Sequence, residues 1–570
     1  MTDTEQRIRK HPGKGKRKGR AFNRGRQVEP SARTEIQQLL GTRPRQRDLL
    51  IEHLHLIQDH FGHIAARHLA ALAELMNIPQ AEAYEVASFY AHFDLVKENQ
   101  TPPPALTVRV CDSLSCQLQD AQALLDHLKG ACDSAQVRVL RAPCMGRCEQ
   151  APVAEVGHNH LGRATGDTVL EAINSGHIHP SRPDALSLAD YRAAGGYELL
   201  DACRQGQHSV EDLSARLAAA GLRGMGGAGF PTATKWQLVR QQAGPRLMAV
   251  NGDEGEPGTF KDRYYLERDP HRFLEGMLIG AWAIEADAVY IYLRDEYPAL
   301  RQLLLDELEA LQSCGLIAAD YVHLRRGAGA YICGEESAMI ESLEGKRGYP
   351  RQRPPYVAEL GLFNRPTLVN NVETLFWLRD IFERGAAAYA DHGRHGRTGL
   401  RSFSVSGRVA KPGVHRAPAG ITLQELVDEY CGGMAAGHSL KAYLPGGASG
   451  GILPATAANI PLDFGTLEAH GCFIGSAAIV VLSDRDDMAA VALNLMEFFA
   501  DESCGQCTPC RVGTEKAVQL LRRGHWDAAL LGELNQVMRD ASICGLGQAA
   551  PNPIASVLKH FPSDIIATDG

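Results

Sequence analysis

Eight of the chain's 14 cysteines fall into two groups of four. Cys504, Cys507 and Cys510 stand in a C-x2-C-x2-C run within Ser503–Arg511. That spacing wraps one stretch of backbone round three corners of a cube, and Cys544, in Ile543-Cys544-Gly545-Leu546-Gly547, is the expected fourth thiolate of a [4Fe-4S] cluster. Zinc needs only the corners of a tetrahedron and rarely takes three cysteines so evenly spaced. Gly505 and Gly545 let backbone amides approach the sulfides and donate to them. The other group pairs Cys111 with Cys116 and Cys144 with Cys148, with 27 residues between the inner members. Each pair follows an expected strand, Val108–Val110 and Val137–Leu140, so neighbouring strands would bring four thiolates to one rim. The wide spacing favours a [2Fe-2S] core, with zinc and a set of unliganded thiols as the alternatives. Cys132, Cys203, Cys314, Cys333, Cys431 and Cys472 are scattered singly and read as inert thiols.

A second kind of chemistry resides in glycine and acid. The loop Arg223-Gly224-Met225-Gly226-Gly227-Ala228-Gly229-Phe230-Pro231-Thr232 leads toward Lys235. Its amides and the following helix start could receive a phosphate, although the spacing departs from the dinucleotide fingerprint and no strand clearly precedes it. Asn251-Gly252-Asp253-Glu254-Gly255-Glu256 follows an expected strand, Leu247–Val250, where open α/β sheets bind ligands. Gly327–Glu336 is a second glycine turn ending in paired acids, and Asn370-Asn371 adds amide groups suited to a heteroaromatic edge. Taken alone, these could equally be structural turns with surface acids. The H-x-H pairs His158/His160 and His177/His179 lack accompanying carboxylates and read as surface histidines. His53, His55, His60, His63 and His68 lie on a helical segment and read as structural.

The elements that must hold these groups follow from periodicity. Residues 34–93 are helical, with leucines and isoleucines at three- and four-residue steps and a new helix starting at Pro79. Prolines 102–104 mark a boundary. Strand, helix (120–129), strand, hairpin (153–165) and helix (167–173) then suit a thioredoxin-like sandwich. From about 185 to 395, glycine loops, strands (Leu247–Val250, Ala288–Tyr292) and helices (Pro270–Glu285, Leu300–Gln312) alternate as in a mainly parallel α/β domain. Residues 400–480 hold short strands with turns, and the chain is helical again from Met488. There is no internal repeat.

Composition sets the outer limits. Apolar residues make up 44% and charged residues 22%, an ordinary globular balance. The best candidate for an apolar span, Ile474–Leu482, is far too short to cross a bilayer. A basic start without a following apolar stretch argues against a signal peptide. Cysteine-rich chains without a secretory signal belong to a reducing compartment, so a cytoplasmic location is expected. Residues 1–30 carry ten Lys/Arg against three acids within a chain of net charge −8. This reads as a solvated, disordered tail, open to use as a docking arm, without sequence-specific nucleic-acid reading.

Gly224–Thr232, Asn251–Arg263, Gly327–Gly348, Leu368–Thr374 and Ser503–Gly513 together resemble the FMN- and NADH-binding (51-kDa) subunit of respiratory complex I. Residues 34–180, with Cys111, Cys116, Cys144 and Cys148, resemble its 24-kDa subunit, here fused to the first. Fused chains of this layout are similar to the diaphorase subunits of NAD-reducing hydrogenases and to the β subunits of NAD-dependent molybdenum or tungsten formate dehydrogenases. The Gly252–Glu256 sequence, Gln506 with Thr508-Pro509, and the complete first cysteine quartet favour the formate dehydrogenase β subunit.

The resemblance implies an α/β multidomain chain. Its expected parts are a basic tail (1–32), a helical segment (33–103), a thioredoxin-like [2Fe-2S] domain (104–182), an FMN- and NAD-binding α/β domain (183–397), a β-grasp domain (398–484) and a helical bundle with [4Fe-4S] (485–570). It further implies that Gly224, Gly226, Gly227, Gly229, Lys235, Asn251, Asp253, Tyr331, Gly334, Glu335, Asn370, Asn371 and Thr374 surround FMN. Phe230, Glu256, Glu336 and Tyr356 would contact the nicotinamide nucleotide, with Phe230 stacking and Glu256 and Glu336 as the candidate catalytic residues. Met225 replaces an arginine usual in complex I, and Tyr356 a frequent Phe. Glu256 and Glu336 would repel a 2′-phosphate, so NAD(H) is expected over NADP(H). The implied partner is a large α subunit with molybdenum- or tungsten-pterin and iron–sulfur centres. A hydrogenase or quinone-reductase diaphorase is the alternative, and a zinc-stapled scaffold with a basic nucleic-acid arm is the alternative of a different class.

Overall fold

The structure, a computed structural model, describes residues 26–565. Most of the expected tail lies outside them, but its last residues are folded, contrary to expectation. A helix starts at Pro30, whose fixed φ suits a first helical turn. Ala32, Ile36 and Leu40 recur every four residues and are fully buried. Ahead of it, the Arg26 amide donates to Gln80 Oε1 at 3.1 Å. Helices Leu50–Phe61, Ala66–Leu75 and Gln80–Phe89 complete the N-terminal segment.

The next domain has a four-stranded sheet in spatial order 137–142, 106–111, 153–156, 159–162. Leu106–Cys111 runs parallel to Val137–Ala142 and antiparallel to Val153–Val156, with helices Ala121–Ala131 and Gly166–Ser175 completing the sandwich. The parallel pair ends in the same direction, so the loops after Cys111 and Ala142 emerge at one rim. His160, expected at the surface, is corrected here: its side chain is only 4% exposed. His53, His55 and His68 are buried, each with one ring nitrogen bonded.

The third domain is built on a wholly parallel sheet in the order 367–371, 246–252, 286–293, 322–326. Both faces are covered. Met248 and Val250 point into one apolar core, while Leu247 and Ala249 point into another, the two-sided burial typical of parallel strands. Helix Val210–Ala220, not a strand, precedes the glycine loop. A five-stranded mixed sheet (413–418, 400–407, 478–483, 440–444, 453–454) forms the fourth domain. Helices Met488–Asp501, Thr508–Leu521, Ala528–Ala541, Gly545–Ala549 and Asn552–His560 form the fifth. Among the described residues, no helix is long and apolar enough to cross a membrane.

Candidate active site and cluster pockets

Strand Arg246–Gly252 comes first in the chain of its sheet yet lies inside it, between the second strand and the last. Connections therefore leave it in opposite directions, which opens a crevice at the carboxyl ends of the strands. Asn251 and Asn371 face each other across that switch point as register partners. A cavity of about 550 Å³ starts there, lined by Gly226, Gly227, Asn251, Asp253, Glu256, Tyr331, Gly334, Glu335 and Asn371. Its size falls within the range of cofactor sites. Two other domains close it: Gly446, Ser449, Phe464, Phe473 and Ser476 from the mixed sheet, and Gly545, Leu546 and Ala549 from the helical bundle.

The glycine loop is tied at its neck. Arg223 pairs with Pro231, the Gly224 amide donates to the Phe230 carbonyl at 2.9 Å, and the Met225 amide donates to Thr374 Oγ1 at 2.9 Å. Thr374 is fully buried and positions this loop without lining the cavity. Gly229 sits at φ +65°, and a Cβ there would meet the Phe464 ring at 2.6 Å, so only glycine is accommodated. Asn370 is buried and accepts from the Trp236 indole at 3.4 Å, away from the cavity lining. Lys235 also stands back, donating to the Val369 carbonyl at 3.1 Å, with Glu336 3.6 Å away. Glu336 further pairs with Arg353 at 3.3 Å. Phe230 is 43% and Tyr356 56% exposed, and neither lines the cavity. The expected set thus divides into cavity wall, loop supports and open approach.

Buried charge dominates the wall. Glu254 accepts the Asp262 and Arg263 amides at 2.7 and 3.1 Å, capping helix Lys261–Arg268, and accepts the Tyr297 hydroxyl at 3.0 Å. Burial pushes its pKa up to about 7. Lys261 lies 2.9 Å from both Asp262 and Glu373, all three buried. Burial opposes its charge, but the surrounding carboxylates overcome that and raise its pKa. Glu256 accepts the Ser449 amide and hydroxyl at 2.8 and 2.7 Å and the Tyr331 hydroxyl, while burial raises it. Asp253 Oδ2 is buried beside the cavity with no partner, an acceptor site open to a hydroxyl-bearing ligand. The residues present fit a flavin mononucleotide.

Both cysteine quartets come near this cavity: Cys144 lines a small gap with Asp253 and Tyr331, and Cys544 immediately precedes Gly545 and Leu546 of the wall. Cys111, Cys116, Cys144 and Cys148 are all buried, with the last two sulfurs 3.4 Å apart. Hydrogen bonds with Cys111 and Cys148 hold Cys144 well below the ordinary thiol range, while those two are raised by their sulfur neighbours. Arg294 donates to the Cys144 carbonyl at 2.6 Å and also to the Glu254 carbonyl, bridging this quartet to the acid loop. In the second quartet, Cys507 and Cys544 each stand immediately before a helix, and Ser503 Oγ lies 3.3 Å from Cys510 Sγ. Burial pushes Cys510 to about 11 and Cys544 to about 12, against donation from the Gly547 and Leu546 amides at Cys544. Both quartets are dense sulfur sets that would release their protons to solvent on taking up a metal core. They fit the two clusters.

Several wall residues escaped the sequence reading. Glu254, Lys261 and Asp262 sat within a stretch singled out for its resemblance, and a charged run entering a helix beside an apolar strand was their signal. Ser449, Phe464 and Phe473 had none, because the cavity brings them in from almost 200 residues along the chain.

Comparison with known proteins bears on the whole assembly. Residues 36–177 match the thioredoxin-like [2Fe-2S] ferredoxin family, 217–380 the Nuo51 FMN-binding domain, 402–453 the SLBB domain, and 490–568 the NADH-ubiquinone oxidoreductase-F iron-sulfur binding region. The F 2 subunit of NADH-quinone oxidoreductase from Rhizobium meliloti (strain 1021) is 42% identical over 400 residues, 68% of this chain and 95% of that protein. The F subunit of the Aquifex aeolicus (strain VF5) enzyme is 40% identical over 67% of this chain and 91% of its own length. A crystal structure of an NAD+-reducing [NiFe]-hydrogenase in the air-oxidized state superposes with a TM-score of 0.80 at 34% identity, covering 92% of this chain and 94% of that one. The chain belongs to the family of NADH-quinone oxidoreductase F subunits, here joined to a thioredoxin-like [2Fe-2S] domain, and is an NAD(H)-linked oxidoreductase subunit that carries FMN, a [2Fe-2S] and a [4Fe-4S] cluster.

Proposed function

We propose that this chain is the diaphorase (β) subunit of an NAD-dependent formate dehydrogenase. Its partner would be a large α subunit bearing a molybdenum- or tungsten-pterin and iron–sulfur centres. The observation that carries the electron-transfer part of this reading is the placement of one cavity at the sheet's switch point, with Gly545, next to Cys544, in its wall and Asp253 and Tyr331 shared with the gap that Cys144 lines. When bound there, FMN supplies the exchange between two-electron hydride chemistry and one-electron transfer. Gly226, Gly227, Asn251, Asp253, Tyr331, Gly334, Glu335 and Asn371 hold it. Gly224, Gly229, Lys235, Asn370 and Thr374 keep the loop and strand ends in place. Phe230 and Tyr356, both exposed at the approach, receive NAD+ or NADH by stacking and edge contact. Glu256 and Glu336 place negative charge where a 2′-phosphate would lie. Cys111, Cys116, Cys144 and Cys148 ligate [2Fe-2S]; Cys504, Cys507, Cys510 and Cys544 ligate [4Fe-4S]. Pairing with formate chemistry is supported by the complete first quartet in a fused chain and by the Gly252–Glu256 and Gln506–Pro509 sequences. The likeness to an NAD+-reducing hydrogenase along 92% of the chain favours a second reading, a hydrogenase diaphorase.

Purification of the native complex decides between them. Formate-dependent NAD+ reduction with a pterin-bearing large subunit supports the first reading. Hydrogen-dependent reduction with a nickel–iron subunit replaces it with the second. A colourless protein lacking flavin and labile sulfide overturns both.

A further inference from the structure

Away from the flavin cavity, the N-terminal helices meet the flavin domain at a buried seam rich in histidine. His55, on helix Leu50–Phe61, is 2% exposed, and its Nε2 lies 2.8 Å from the Gly327 carbonyl. A carbonyl only accepts, so Nε2 carries the hydrogen and Nδ1 is left as a lone pair. That Nδ1 is buried without a partner. His92 follows helix Gln80–Phe89, and its Nδ1 lies 2.6 Å from Asp295 Oδ2. Its Nε2 is likewise buried and unpartnered. The two rings are 4.8 Å apart, centre to centre. One ligand atom from each of His55, His92 and Asp295 lies within 4.8 Å of the other two.

The geometry points to a site for a zinc-class divalent cation in this seam, with His55 Nδ1 and His92 Nε2 as the imidazole donors and Asp295 holding the His92 ring by its other nitrogen. Three observations converge on it. Each ring has one nitrogen fixed by a carbonyl or carboxylate, the arrangement that sets the tautomer of metal-binding histidines. Each leaves a buried lone pair that no protein group satisfies. The charge also suits a cation: Arg326 is shared between Asp295, at 2.5 Å, and Asp59, at 2.7 Å, so two carboxylates face one guanidinium. Zinc–nitrogen bonds of about 2.0–2.1 Å set tetrahedral donors about 3.4 Å apart, so the two rings would have to turn inward onto the cation. Water would complete the shell. No cysteine takes part, which separates this site from both clusters. Its position matters because Arg326 ends strand Val322–Arg326 and Gly327 opens the turn that carries Tyr331, Gly334 and Glu335 to the flavin. A cation here would clamp the N-terminal helices to the root of that turn.

The test uses the untagged whole complex, incubated with zinc chloride, freed of loose metal by gel filtration, and assayed for zinc, iron and flavin. The wild-type chain should retain about one zinc that is absent from His92→Gln and His55→Gln, with iron and flavin unchanged. Hydrogen exchange of chelator-treated wild type, with and without zinc, keeps the idea falsifiable should either variant misfold: residues 50–61 and 322–336 should become protected on zinc addition. Failure of the wild type to retain zinc, equal retention by correctly folded variants, or unchanged exchange in both segments would overturn the site.

Discussion

The two sulfur quartets differ in how they meet solvent, and the difference separates two duties. Cys111, Cys116, Cys144 and Cys148 are sealed beneath the junction of two domains, with Phe260 of the flavin domain packed on Cys144 and Cys148. In the other quartet only Cys510 is buried, while Cys504, Cys507 and Cys544 are partly open at the edge of the helical bundle, beside exposed Val512 and Ile543. A sealed centre is set back from the surface that a partner would touch. One at a rim can deliver electrons to another subunit. Both approach the same cavity, the first through Arg294 and Tyr331, which line a small gap beside Cys144, and the second through Gly545 and Leu546.

Removing one sulfur from each quartet is the strongest way to break that contrast. Cys507→Ser should abolish the [4Fe-4S] signal in electron paramagnetic resonance and reduce partner-linked turnover to background, while NADH oxidation by ferricyanide persists. Cys144→Ser should abolish the [2Fe-2S] signal yet leave partner-linked turnover largely intact; equal losses from both would erase the distinction. Lys261→Met comes next. It strands Asp262 and Glu373, both buried, and breaking such a set costs about 3–5 kcal/mol. The melting temperature and the bound flavin should fall together.

Glu254→Gln tests the wall by its pH dependence. The folded chain holds this proton up to about 7, against an ordinary value of 4.5. Between those values the unfolded chain gives up a proton that the folded one keeps, so stability falls as pH rises through the window and levels off above it. Glutamine cannot titrate, and the variant should lose up to about 3 kcal/mol of that slope, read as melting temperature from pH 4.5 to 7.5. The smallest effect belongs to Glu336→Gln. Lys235 and Arg353 already offset its charge, so the preference for NADH over NADPH should relax only about threefold, measured as a ratio of kcat/KM values.

Local pattern carried much of this molecule. Leu247 and Ala249 alternate with Met248 and Val250 across one strand, Ile36 and Leu40 repeat at helical spacing, and the C-x2-C-x2-C run fixes three sulfurs on one short loop. The glycine loop was legible as a loop but not as a hairpin held by Thr374, because that bond spans 149 residues. Lys235 and Asn370 were expected at the ligand and stand behind it, since sequence proximity to a ligand loop does not say which way a side chain turns. Phe464 and Ser449 were invisible for a different reason: their role arises only when separate domains fold onto one another. His160 misled because its exposure is decided in part by the neighbouring domain, whose Glu267 lines the same crevice as His160 and Arg147.

The walls of the flavin cavity are drawn from residues as early as Gly226 and as late as Ala549. A ribosome must therefore release nearly the entire polypeptide before the pocket has all its sides. Flavin loading is consequently expected late in maturation, and truncations that spare the whole Arg223–Thr232 loop should still yield protein without bound flavin.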